Sequence, residues 1–300
     1  MNEQTVDLTK VAVPRIEASD YREYDIPSIF GDSHTQTVFE TRTIHKKGNQ
    51  MELHDFMPWG WPLDFPILRE FNVAGGQLYN GNATLYAMRG IKFTPRKGSK
   101  RPILEQLADK WLEIYVAQND NREFVLAGAS LGSLFASIIA SKAKAYDIKV
   151  PHLYINEPAG VSPKSFTQIR KQMTHDTEFE LKYSSERLGN KNLKVDIAKY
   201  LLGNLSNERK IINNILKGEL FEYVNKYLEA GDGQVHFFHG ADSSFITNED
   251  IKLFHEKIEF PNRIQYSHIT GLRHGVGPNY RELAVWLIEY IAKSQKGNGK

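Results

Sequence analysis

A serine hydroxyl becomes a useful nucleophile only when a neighbouring base takes its proton and a third group holds that base in the right tautomer. The chain offers one serine in a setting suited to that chemistry, Ser130 in Gly128-Ala129-Ser130-Leu131-Gly132. Before it, Phe124 to Ala127 have the length and apolar character of a strand buried on both faces. After it, Leu131, Leu134, Phe135, Ile138 and Ile139 recur at the spacing of one helix face. The unit reads strand, sharp turn, helix, and glycines two residues to either side give G-x-S-x-G in the context that makes the pattern meaningful. A serine on such a turn is expected in a strained conformation that pushes its hydroxyl out of the sheet, with small neighbours so that strand and helix pack close. The N–H groups that open the helix, that of Leu131 in particular, would face an oxyanion formed there. The bland alternative is a serine that only caps a helix on a glycine-rich turn.

A base and an acid should then lie at other strand ends, because the ends of a parallel sheet converge on one edge. The carboxylate candidate is Asp242, in His239-Gly240-Ala241-Asp242-Ser243 directly after the strand-like run Gln234 to Phe238. The histidine candidate is His274, in Thr270-Gly271-Leu272-Arg273-His274-Gly275, a loop between the last strand and the last helix. The order serine, acid, histidine is the one expected of a hydrolase built on a strand-turn-helix serine. Each has a rival. Glu157, in Asn156-Glu157-Pro158, also follows a strand, and His268 is available but lies inside the last strand, where a histidine is more often packed. His236 and His239 tempt a metal reading, yet three residues apart on a strand they point to opposite faces, so no metal site and no cofactor is expected.

With these motifs in place the sequence resembles the α/β-hydrolase superfamily from about residue 36 to 293: the Gly-Ala-Ser-Leu-Gly elbow, the strand–Gly–Ala–Asp turn, the Gly-Leu-Arg-His loop before a final amphipathic helix, and a helical insertion where the family places its cap. The resemblance implies Ser130 as nucleophile, Asp242 as orienting acid and His274 as general base. The chain departs from the family's His-Gly after the third strand, having Phe71-Asn72-Val73-Ala74-Gly75 instead, and the backbone N–H of Val73 is the expected second oxyanion donor. A serine at the elbow does not point to the branches that use aspartate there.

The elements that must position these groups follow. Residues 1–35 are polar, with isolated prolines, and read as an irregular N-terminal arm packed on the domain. Thr37 to Ile44 and Met51 to Met57 read as a hairpin, and Phe65 to Phe71 as a strand entering the glycine-bearing loop Asn72 to Gly76. Ala83 to Met88 is a further strand, Pro102 opens a helix with Ile103, Leu104, Leu107, Trp111, Ile114 and Tyr115 on one face, and His152 to Ile155 is a strand. Strands alternating with helices predict an α/β fold, a mostly parallel sheet covered on both faces. The core is expected over 36–160 and 233–300, interrupted by a helical cap over 161–232.

Composition bounds the function. The 300 residues are 41% hydrophobic and 25% charged, as in an ordinary globular protein, and 38 basic against 36 acidic residues leave a formal charge of only +2. That balance gives no electrostatic case for nucleic acid. With no cysteine there is no disulfide, thiolate metal site or cysteine nucleophile. The acidic start lacks a signal-peptide pattern and no run approaches membrane-spanning length, so the expectation is a cytoplasmic protein acting on a small-molecule acyl substrate. Nothing in the sequence sets its oligomeric state. Two other readings stay open: a binding or structural protein that kept the fold, and an amidase or aminopeptidase.

Overall fold

The computed structural model describes residues 2–32, 37–58, 63, 66–88, 91, 93–96, 98–165, 167–169, 171–172, 213, 215–272 and 279–296. The strands are β1 (Asn2–Asp7), β2 (Ile26–Asp32), β3 (Thr37–Ile44), β4 (Glu52–Phe56), β5 (Ala83–Tyr86), β6 (Phe124–Ala129), β7 (His152–Asn156), β8 (Gln234–Gly240) and β9 (Ile264–Thr270). They form one nine-stranded sheet in the order β1-β9-β8-β7-β6-β4-β5-β3-β2. Pairing is parallel throughout except at β2–β3 and β3–β5. Among the described residues, the helices used below are α1 (Asp20–Tyr24), α2 (Pro66–Leu78), α3 (Ile103–Gln118), α4 (Leu131–Ala143), α5 (Leu220–Ala230), α6 (Asn248–Lys257) and α7 (Tyr280–Lys296). The α/β architecture with a mostly parallel sheet is as the alternating periodicity predicts.

Layering follows from the two faces of the central strands. Phe56, Phe124, Leu126, Leu153, Ile155 and Phe237 join the core under α3, α4 and α5. Leu53, Val125, Ala127, Tyr154 and Phe238 face the other way, toward α7. Alternate residues of buried parallel strands serve two cores at once, which is why these strands read as continuous apolar runs.

Four local expectations are corrected. The stretch 1–35 is not an irregular arm, because it supplies both edges of the sheet, β1 beside β9 and β2 beside β3. Thr37–Ile44 and Glu52–Phe56 do not pair as a hairpin, since β5 lies between them, antiparallel to β3 and parallel to β4. The expected strand Phe65 to Phe71 and loop Asn72 to Gly76 are, from Pro66 onward, one helix, α2 (Pro66–Leu78). Its glycines serve helix packing: a Cβ on Gly75 would lie 3.1 Å from Ile288 Cγ1 of α7, and one on Gly76 would lie 2.7 Å from Tyr24 Cβ of α1. Close packing of three helices outweighs the roughly 1 kcal/mol that each interior glycine costs. Lastly α5, read from the sequence as part of the cap, buries Leu220, Tyr223, Val224, Tyr227 and Leu228 in the core shared with α4. Residues 173–212 of the expected cap lie outside the described residues.

Helix α6 escaped the sequence reading although its start is legible. Thr247 Oγ1 accepts from the Asp250 N–H at 3.2 Å, and Asp250 Oδ2 accepts from the Thr247 N–H at 2.9 Å, a reciprocal capping box.

Candidate active site

The G-x-S-x-G segment folds as the small residues demand. β6 ends at Ala129, α4 begins at Leu131, and Ser130 between them has φ 53° and ψ −119°. A non-glycine residue held at positive φ costs on the order of 1–3 kcal/mol, which the surrounding packing must offset. That packing admits no side chain at either glycine. A Cβ on Gly132 would lie 1.9 Å from the Phe56 carbonyl oxygen of β4, and one on Gly128 would lie 2.4 Å from the Gly132 carbonyl. Helix α4 therefore sits close enough to β4 and β6 to keep its N-terminus at the serine.

Hydrogen bonds lock the turn to β7. The Ser130 N–H donates to Asn156 O at 3.0 Å, and Ser130 O accepts from Ala159 N–H at 3.0 Å. Beneath it, the buried Ser133 hydroxyl donates to Gly128 O at 2.5 Å and accepts from Asn156 N–H at 3.1 Å. Sequence reasoning missed Ser133, and nothing local marks it: its partner on β7 is brought in only by strand pairing. Leu131 heads α4, so its N–H belongs to the first turn, where helix N–H groups have no partner in the helix ladder and favour negative charge.

β6, β7, β8 and β9 are consecutive parallel neighbours, so their C-terminal ends share one edge. Ser130 leaves from β6, Glu157 from β7 and Asp242 from the turn after β8. Glu157 is 1% exposed, and its backbone is also at positive φ, 45°. Its Oε1 pairs with His239 Nδ1 at 3.1 Å and accepts from the Gly240 N–H, while Oε2 accepts from the Ser243 hydroxyl at 2.5 Å. Glu157 thus grips both flanks of the turn that carries Asp242, whose own side chain is exposed.

His274 lies outside the described residues, as does the rest of 273–278. The chain approaching it is described: Ala241 N–H donates to Ile269 O at 2.9 Å, and Leu272, buried, lies where a Cβ on Gly240 would come within 2.2 Å of its carbonyl oxygen. Leu272, the last described residue before His274, therefore lies beside the turn that carries Asp242. His268 is partly buried in β9, with its ring 5.3 Å from that of His239. His236 and His239 do point apart: His236 bonds His152 at 3.0 Å and Tyr290 at 2.9 Å, away from the Glu157 site.

Val73 does not sit on a loop. It is fully buried inside α2, where its N–H falls within the helix's own hydrogen-bond ladder, so the loop argument for it as an oxyanion donor is lost. Ser130 instead opens on a pocket bordered by Met57 and Pro58 after β4, by Asn156 at the end of β7 and Glu157 after it, and by apolar side chains of α2 and α7.

No family model matches the chain, and no curated protein matches its sequence. Solved structures do match. A candidate lipase from Acinetobacter baumannii aligns with a TM-score of 0.65 at 12% identity, over 96% of this chain and 100% of that one. E-2-(acetamidomethylene)succinate hydrolase aligns with 0.58 at 12%, over 90% and 99%. An esterase from Pyrobaculum calidifontis aligns with 0.50 at 12%, over 96% and 87%. With the sheet order and the elbow described above, these matches establish that the chain has the α/β-hydrolase fold.

Proposed function

We propose that this chain is a serine hydrolase that cleaves a carboxylic ester or related acyl bond of a small molecule. The observation carrying this reading is the strained Ser130 on the β6–α4 turn, at a helix N-terminus and at the mouth of an apolar pocket. In this reading the Ser130 hydroxyl attacks the carbonyl carbon, His274 takes its proton and later delivers it to the leaving group, and Asp242 steadies the imidazolium. The Leu131 N–H donates a hydrogen bond to the oxyanion, and water then resolves the acyl-enzyme.

Burial favours a second assignment of the acid. Glu157 borders the same pocket as Ser130 from the adjacent strand, whereas Asp242 is exposed. A buried carboxylate holds a charged imidazole more strongly than one facing water. Asp242→Asn and Glu157→Gln separate the two: the acid's variant loses turnover by about 10⁴-fold, on the precedent of a triad aspartate replaced by its amide.

Turnover of p-nitrophenyl esters over a chain-length panel, with labelling by a fluorophosphonate probe, tests the reading. The expected result is labelling at Ser130 and loss of both labelling and turnover in Ser130→Ala. Full turnover by Ser130→Ala, or no turnover of ester, thioester or amide by the wild type, overturns it. The latter outcome, with a ligand bound, returns the chain to a binding protein on the same fold; amide turnover in preference to ester makes it an amidase.

A further inference from the structure

The pocket below Ser130 runs along the sheet face that supports α2 and α7, and small residues open it. On that face β6 presents Ala127 and Ala129, where a larger side chain would fill the space. Its far wall is apolar, with Leu68 and Phe71 from α2 and Leu283, Leu287 and Ile288 from α7. Away from the mouth at Ser130, Asn156 and Glu157, one charged side chain interrupts this lining. Asp55 of β4, paired in register with Ala127, borders the pocket, and no hydrogen bond or ion pair reaches its carboxyl among the described residues. The residue is half-buried, and partial desolvation among apolar side chains pushes its carboxyl up to about 7.

A desolvated carboxyl without a protein donor lowers stability, so a ligand that supplies the missing donor gains what the fold forgoes. Among the described residues the lining contains Asp55 and Glu157 but no lysine or arginine, so a positive charge is the complement these residues call for. Distance sets where that charge belongs. Ala127 precedes Ser130 by three residues, which at about 3.3 Å per residue puts Asp55 roughly 10 Å below the nucleophile. A methylene chain of roughly six atoms spans that depth once the hydrogen bond at its end is included.

We propose that this pocket is an acyl subsite selective for a terminal ammonium group, with Asp55 pairing the cation and the apolar walls of α2 and α7 holding the chain. The substrate class is an ω-amino acyl ester or a close relative of it. The inference rests on the proposed Ser130 chemistry for turnover, but the binding step does not.

Two measurements test it. In the first, kcat/KM for p-nitrophenyl 6-aminohexanoate is compared with that for the hexanoate and 6-hydroxyhexanoate esters. The wild type should prefer the amine by about tenfold or more, as a charge-assisted hydrogen bond gives. Asp55→Leu should reverse the preference toward hexanoate, and Asp55→Asn, nearly isosteric and so a guard against misfolding, should abolish it. In the second, calorimetry follows n-hexylamine binding to Ser130→Ala and to Ser130→Ala/Asp55→Asn, with thermal melts confirming that both are folded. Binding to the first and at least about tenfold weaker binding to the second is expected. An unchanged ester ratio in the Asp55 variants, a preference for the hydroxy ester, or equal hexylamine binding to both proteins overturns the inference. If the wild type turns over none of the esters, the hydrolase reading fails, and the calorimetry still decides the subsite.

Discussion

On one face of β4, His54 lies among Tyr86, Trp111, Tyr115 and Phe124, with ring centroids 4.8 to 5.8 Å away. On the other face Asp55, the next residue, borders open space. The first face is packed solid with rings from α3, β5 and β6, where Tyr86 OH lies 2.9 Å from His54 Nδ1 and Glu52 Oε1 lies 3.7 Å from His54 Nε2. Burial acts on both groups and moves them in opposite directions, His54 down to about 4 and Asp55 up to about 7, because it disfavours whichever form is charged. The difference teaches where the molecule invests its interior. Beneath α3 and α4 it fills volume for stability; beneath α2 and α7 it leaves room next to Ser130.

The contrast can be broken or sharpened by substitution. The largest stability effect should come from the filled face: Trp111→Ala deletes a fully buried ring from a close-packed cluster and should cost about 3–5 kcal/mol, read from urea denaturation. Next comes Asp55→Leu. The folded carboxyl titrates near 7 and the unfolded one near 3.8, so the native state is penalised above pH 7 and relieved as pH falls toward 3.8. The variant should therefore be more stable than wild type at pH 8, on the order of 2–4 kcal/mol, with the gain gone by pH 4. A gain that persists at pH 4 would mean packing, not charge, was the cause.

His54→Phe probes the opposite sign. Between pH 6.5 and about 4 the unfolded chain takes up a proton that buried His54 refuses, so wild-type stability falls as pH falls through that window. Removing His54 should flatten this acid limb by up to about 3 kcal/mol at pH 4, while His152 and His236, also pushed down by burial, keep the remainder. The smallest effect is expected at the pocket wall. Leu287→Ala enlarges space that is already open, so it should cost no more than about 2 kcal/mol, the low end for such truncations. A loss as large as that of Trp111→Ala would erase the distinction between the faces.

What could be read in the sequence was local. The elbow at Ser130 was legible because its glycines, its strand and its helix adjoin it, and the helix of Trp111 because its apolar spacing is unbroken. Glycine misled at α2, where two of them were read as a loop; what they answer to is Ile288 and Tyr24, far away in the chain. The Thr247-x-x-Asp250 cap of α6 is equally local, a start signal written within four residues.

By itself, then, the sequence determined the alternation of strands and helices, the strained serine turn and the candidate order Ser130, Asp242, His274. Tertiary structure alone decided that β5 separates β3 from β4, that residues 2–32 form both sheet edges, that Glu157 is buried at the site while Asp242 faces water, and that Asp55 meets Ala127 across a pocket. Helix and turn preferences act over a few residues, whereas strand order and burial arise from pairings between segments distant in the chain, and only their mutual packing fixes which of the two faces a side chain occupies.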